Sequence, residues 1–183
     1  MNDPIDSADQ IDLSVMSVQV THEFGARIDV VWALLTDFER MAGLGPEHRS
    51  ANWIRRENGD HPTNGDGPVV GDRFTGTNRR GDFEWNVVCH ITEWQPPQRC
   101  SFTVLDPERP SSTWTYVLTA TEDRTSVVQL FRHGPGPSFV RSSVERDPSS
   151  AESIIRGRSE MLRNNMADTL AAADRLLAGD TST

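Results

Sequence analysis

Polar side chains interrupt the apolar faces of this chain at a few positions, and those are where chemistry could occur. His22 and Asn78 fall on the inward parity of their strand patterns. Gln129 and His133 do so in one of two possible registers. A buried polar group without a partner costs about 1–3 kcal/mol, so each needs a protein, water or ligand partner. For any one of them, a structural hydrogen bond is the commoner answer. Arg158 and Asn165 lie beside the apolar stripe of the last helical segment. Arg158 has three readings: contact with a ligand carboxylate, pairing with an acid at a cavity rim, or a snorkelling surface arginine, the last being favoured. Asn165, between Leu162 and Met166, is the better cavity residue.

A second set is aromatic. Phe74, Trp85, Phe102, Trp114 and Tyr116 share the inward parity of successive strands, and Phe131 joins them in the same register as Gln129. Singly, such residues fill a core. Collectively, around an enclosed space, some of them wall a pocket, because ligand pockets are mostly apolar with aromatic walls.

Nucleophilic, metal and phosphate chemistry have no support. No nucleophile elbow, HExxH, P-loop or GxGxxG pattern occurs. Ser, His and Asp residues show no triad-like spacing, so no catalytic residue is assigned. Cys89 and Cys100 are the only cysteines and lack C-x-x-C spacing, so no metal, cofactor or disulfide is expected. The net charge of -9 argues against a nucleic-acid partner. Arg80-Gly81-Asp82 reads as turn chemistry, and the pairs Arg55-Arg56 and Arg79-Arg80 as solvated.

The elements that must position these residues follow from periodicity. Residues 15–24 alternate as a strand, with Val18, Val20, His22 and Phe24 on one face. A helix over 26–36 aligns Ile28, Val31, Trp32 and Leu35, and Asp37 fits as the cap of a second short helix over 38–44. Strands follow at 50–57, 69–80, 83–94, 99–106, 113–120 and 125–134. Residues 58–68 and 134–149 read as loops. A two-residue turn at Glu122-Asp123 would bring Val127 opposite Leu118 and point Val127, Gln129, Phe131 and His133 inward; a three-residue turn would reverse them. The segment 150–178 has helical spacing, a Ser149/Glu152 capping-box pattern and a stop at Gly179. At 1.5 Å per residue it is about 40 Å long, enough to cross a small domain.

Short turns between consecutive strands require antiparallel pairing. The fold class is therefore α+β: six or seven strands in a curved sheet gripping the final helix. Residues 14–179 are expected to form one domain, with disordered tails at 1–13 (acidic) and 180–183. No window approaches a transmembrane span and no signal peptide is visible, so the expected setting is cytoplasmic.

The chain resembles the SRPBCC superfamily, the helix-grip group of START lipid-transfer domains and polyketide cyclase/dehydrase-like proteins. The resemblance covers about residues 15–178. It rests on VTHEFGARIDVVWALLTDFERM (20–41), VGDRFTGTNRRGDFEWNVVCHITEWQPPQRCSFTV (70–104) and TWTYVLTATEDRTSVVQLF (113–131). It implies a hydrophobic tunnel between sheet and final helix. The expected function is binding or transport of a small hydrophobic molecule such as a lipid, polyketide or aromatic metabolite. The alternatives are a cyclase/aromatase or dehydratase in the same cavity, and an interaction module with a vestigial cavity. The expected ligand site comprises Phe74, Trp85, Trp114, Tyr116, Leu162 and Met166 as walls, with His22, Asn78 and Asn165 as polar points. No integral membrane association is expected, and monomer and homodimer both remain open.

Overall fold

The computed structural model describes residues 12–179. The expected tails therefore lie almost wholly outside the described residues. The exception is the end of the first: Leu13 is buried in a 3-10 turn, Leu13–Val15, capped by the Asp12 side chain.

Seven strands form one antiparallel sheet in the order β1-β7-β6-β5-β4-β3-β2. They are β1 (Ser17–Phe24), β2 (His48–Ile54), β3 (Arg73–Arg80), β4 (Phe83–Gln95), β5 (Arg99–Val104), β6 (Ser112–Thr121) and β7 (Arg124–His133). Between β1 and β2 stand the two short helices expected there, α1 (Ile28–Leu35) and α2 (Phe38–Met41). The Asp37 carboxylate caps α2 by accepting from the Arg40 amide. The closing helix is α4 (Ala151–Leu177), gripped by the sheet as the periodicity requires. Register shifts at His48/Ser50 and Ile91/Glu93 mark irregular pairing, and extra residues of this kind bend a strand and increase its twist.

The ambiguous register resolves in favour of the two-residue turn. Thr121 pairs with Arg124 and Leu118 with Val127, so Gln129, Phe131 and His133 point inward. Five local expectations are corrected. The strand expected over 50–57 runs from 48 to 54, and the one expected over 69–80 begins at 73. The second short helix stops at Met41, close before Gly43 and Gly45. The loop expected over 134–149 contains a helix, α3 (Phe139–Arg146), with Ser138 as its cap. Its polar composition hid a two-turn helix that buries only Val144. The expected Ser149/Glu152 capping box does not form. A 3-10 turn, Pro148–Ser150, leads into α4, and the Ser149 hydroxyl donates to Asp147 instead.

Two apolar clusters hold the layers together. The larger joins α1, α2 and the C-terminal part of α4 to all seven strands, with Leu170 and Ala173 fully buried and Phe38 stacked on Phe74 at 4.2 Å between ring centres. The smaller joins Leu162 and Met166 of α4 to Met16, Val18 and Phe131. The long β2–β3 connection is closed by Arg56, which donates to both Asp72 carboxylate oxygens at 2.7 and 2.6 Å, so Arg56 is not merely solvated.

Two glycines give a paired test. Gly136 is buried, and a Cβ there would meet the backbone at Arg109 and Pro110. Gly157 lies exposed within α4, where a Cβ meets nothing within 4 Å. Gly136→Ala is expected to destabilise by about 1–3 kcal/mol through overpacking. Gly157→Ala should stabilise by about 0.4–1 kcal/mol through the loss of unfolded-chain entropy. Denaturant midpoints of the two variants check both signs.

Candidate functional site

Along the middle of α4, from Arg158 to Thr169, a cavity of about 580 Å³ lies between the helix and the sheet. That size lies within the range of small-molecule pockets. Residues of both clusters line it, including Phe38, Phe74 and Tyr116 from one and Met16, Phe131, Leu162 and Met166 from the other.

Of the residues expected from sequence, Phe74, Trp85, Trp114, Tyr116, Leu162, Met166, Asn78 and Asn165 all line this cavity. His22 does not. Its parity is inward, but it faces the C-terminal part of α4, where the helix covers the sheet. The ring stands 3.2 Å from the Asp174 carboxylate and edge-on to Phe24, and Asp174 also accepts from the Gly25 amide. His22 is a link between β1 and α4.

The polar groups inside are few and specific. On β7, Gln129 is buried and its Nε2 donates to the Tyr116 hydroxyl at 3.1 Å, while its Oε1 has no partner. Turning the amide over would only exchange which end is orphaned. Burial pushes the Tyr116 hydroxyl well above the ordinary tyrosine range, so it remains protonated. Four residues further along β7, His133 Nδ1 lies 2.7 Å from the Gly134 carbonyl. A carbonyl only accepts, so Nδ1 carries the proton. His133 Nε2 then accepts from the Ser138 hydroxyl at 2.7 Å, and that oxygen in turn accepts from the Arg141 amide at 3.0 Å. Burial, reinforced by the Arg141 charge, holds the His133 ring below the ordinary histidine pKa despite the Gly134 contact. His48 also lines the cavity and is held low by burial.

At the rim, Arg158 donates to both carboxylate oxygens of Glu47 at 2.7 and 2.9 Å. Their side chains are only 20% and 15% exposed, so Arg158 pairs with a rim acid and does not snorkel. Trp85 and Phe139 line the cavity edge and pack edge-to-face, joined by Phe83; Phe83 and Phe139 are exposed. Sequence reasoning missed Glu47, His48, Ser138 and Phe139. The first two precede the expected start of β2, and the last two sit at the start of the unforeseen α3.

Cys89 and Cys100 are free thiols. Burial pushes both up to about 12, helped at Cys100 by the Glu93 charge. Among the described residues no three His, Cys, Asp or Glu side chains gather where they could hold a metal ion. No helix among them is long and apolar enough to cross a membrane. The cavity can therefore enclose an apolar body and offer hydrogen bonds at Tyr116/Gln129, His133/Ser138, Asn78 and Asn165.

Residues 15–168 match the family described as polyketide cyclase/dehydrase and lipid transport. Among solved structures, a polyketide-cyclase-like protein from Corynebacterium glutamicum is similar at 21% identity and a TM-score of 0.63, over 89% of this chain and 91% of that one. A Thermus thermophilus protein is similar at 14% identity and 0.64, over 91% and 99%. The di-domain ARO/CYC protein StfQ of the steffimycin pathway is similar at 12% identity and 0.62, over 87% of this chain and 50% of that one. No curated protein matches the chain.

Two predictions follow from the burial of these groups. In native protein at about pH 8, iodoacetamide should alkylate Cys89 and Cys100 at least about 100-fold more slowly than in unfolded protein, as mass spectrometry over time would show. The second concerns His48 and His133. Below about pH 6.5 the unfolded chain takes up protons there that the folded rings resist. The unfolded state then binds more protons, so this contribution to stability falls as pH drops toward the folded-state values. Denaturant midpoints should fall between about pH 7 and 5, with a shallower slope in His133→Gln.

Proposed function

The chain belongs to the polyketide cyclase/dehydrase and lipid transport family, and from that premise we propose that it binds or carries a small hydrophobic molecule in the cavity between sheet and α4. The observation that carries this reading is the cavity of about 580 Å³, walled by Phe74, Trp114, Tyr116, Leu162 and Met166. A core packed only for stability would close such a space, because empty volume forfeits packing contacts. Fatty-acyl, polyketide and fused aromatic molecules match both the lining and the size. We also propose a cytoplasmic setting, with which two free buried thiols are in keeping.

A second reading is an enzyme of the cyclase, aromatase or dehydratase type. It is favoured by the convergence of neutral His133, Ser138 and the Tyr116 hydroxyl on one cavity. A neutral imidazole with one fixed tautomer can accept a proton at Nε2, and positioned acid–base groups accelerate such steps by about 10²–10⁴. The structure of StfQ, named for aromatase and cyclase domains, has the same fold; at 12% identity it lends this reading the scaffold and not the chemistry.

Fluorescence titration with N-phenyl-1-naphthylamine tests the binding reading. The wild type should bind the probe, and Trp114→Ala should bind it more weakly. Trp114 is half-buried, and truncating an aromatic packed against the core also costs stability, up to about 3–5 kcal/mol, so the cleaner variants are Asn78→Leu and Asn165→Leu. These should change selectivity among apolar ligands with the melting temperature unchanged or raised. Absence of probe binding in the wild type would replace the cavity reading with an interaction module.

A further inference from the structure

The cavity opens beside a groove of different character. This groove, about 390 Å³, is lined by Arg49, Arg79 and Arg80 and shares Pro46, Glu47 and Asn165 with the cavity. Three exposed arginines lining one groove run against the chain's net charge of -9. Among the described residues, none of the three has a carboxylate within 4.0 Å. Arg49 donates to the Pro46 carbonyl at 2.7 Å, which places its guanidinium, and Arg80 reaches Met161 of α4. The one carboxylate in the groove, Glu47, is already held by both donors of Arg158, so it does not cancel the three charges. At the junction stands Asn165, half-buried, whose side-chain amide has no partner among the described residues.

From this we infer that the ligand is an anionic amphiphile: its apolar body lies in the cavity and its carboxylate or phosphate head is held in the groove by Arg49, Arg79 and Arg80. The inference rests on the cavity reading above and adds a polarity and a direction to it. Guanidinium groups present paired N–H donors that match both carboxylate and phosphate oxygens. A polar step at Asn165 suits the point where the chemistry of the ligand changes from apolar to charged. Arg79 and Arg80 sit at the end of β3, just before the Gly81-Asp82 turn, so replacing them leaves the core untouched.

Competition for bound N-phenyl-1-naphthylamine separates the possibilities. Decanoate, decyl phosphate and 1-decanol share one tail length and differ in the head. At least one of the two anions should displace the probe at a concentration about fivefold or more below that of decanol, and the tighter of them names the head group. The preference should shrink in about 0.5 M NaCl. In the double variant Arg79→Gln, Arg80→Gln it should fall to about one, with the probe itself still bound. The charge-matched control Arg124→Gln, Arg132→Gln alters exposed sites on β7 and should keep the preference. Equal displacement by decanol and both anions in the wild type, or equal loss in the control, overturns the head-group site while the cavity reading stands. Failure of the wild type to bind the probe overturns the cavity reading, and this inference with it.

Discussion

A helix of 27 residues with one apolar stripe has to be covered along its length, and among the described residues the curved sheet does so, joined by α3 and Leu13 at the N-terminal end. The sheet covers the helix at two places. Leu170 and Ala173 are sealed against the larger cluster, and Leu162 and Met166 against the smaller. Burying a leucine fully is worth about 1.5–3 kcal/mol, so a few such contacts hold the helix in place. Along its middle turns, from Arg158 to Thr169, the helix forms one wall of the cavity and the sheet the other.

That geometry decides what the enclosed polar groups mean. At the C-terminal part of α4, where helix and sheet touch, the inward polar residue His22 finds a protein partner in Asp174. Over the cavity, Gln129 keeps one end of its amide without a partner. His133 is satisfied from outside the sheet, by the Gly134 carbonyl and the Ser138 hydroxyl that also caps α3. One strand thus carries both a group with unused hydrogen-bonding capacity and a group locked in a single tautomer. The first suits recognition, the second suits proton transfer, and the scaffold holds both without strain on either.

Charge is distributed with the same economy. The Glu47–Arg158 pair joins the segment before β2 to α4 at the rim, and its half-buried setting keeps it better shielded from salt than an exposed pair. By neutralising Glu47 it leaves the adjacent arginines as the dominant charge of the groove. Beyond the other end of β2, Arg56 and Asp72 close the long β2–β3 connection. There the Arg56 contact, aided by the Val69 amide, holds the Asp72 carboxyl below its ordinary pKa, so that closure persists down to mildly acidic conditions.

The sequence by itself determined the order of elements, the antiparallel sheet, the long closing helix and part of the cavity wall. Phe74, Trp114 and Tyr116 could be placed because a strand has a strict period of two, and Leu162, Met166 and Asn165 because a helix has one near 3.6. Parity assigns a face and nothing more. It could not tell that His22 meets Asp174, 152 residues away in sequence, while Asn78 on the same inward face meets open space. The difference lies in where the helix touches the sheet, which no local pattern encodes. The inward turn of Gln129 and His133 hung on the length of one hairpin loop, and the pairing of Thr121 with Arg124 decided it. The segment 134–149 looked like a loop because α3 is short, polar and anchored by tertiary contacts of Ser138 and Arg141 to the loop after β7. Glu47 and Arg158, the Arg49–Arg79–Arg80 groove and its opening into the cavity bring together residues from three separated segments. Only the folded chain could assemble them.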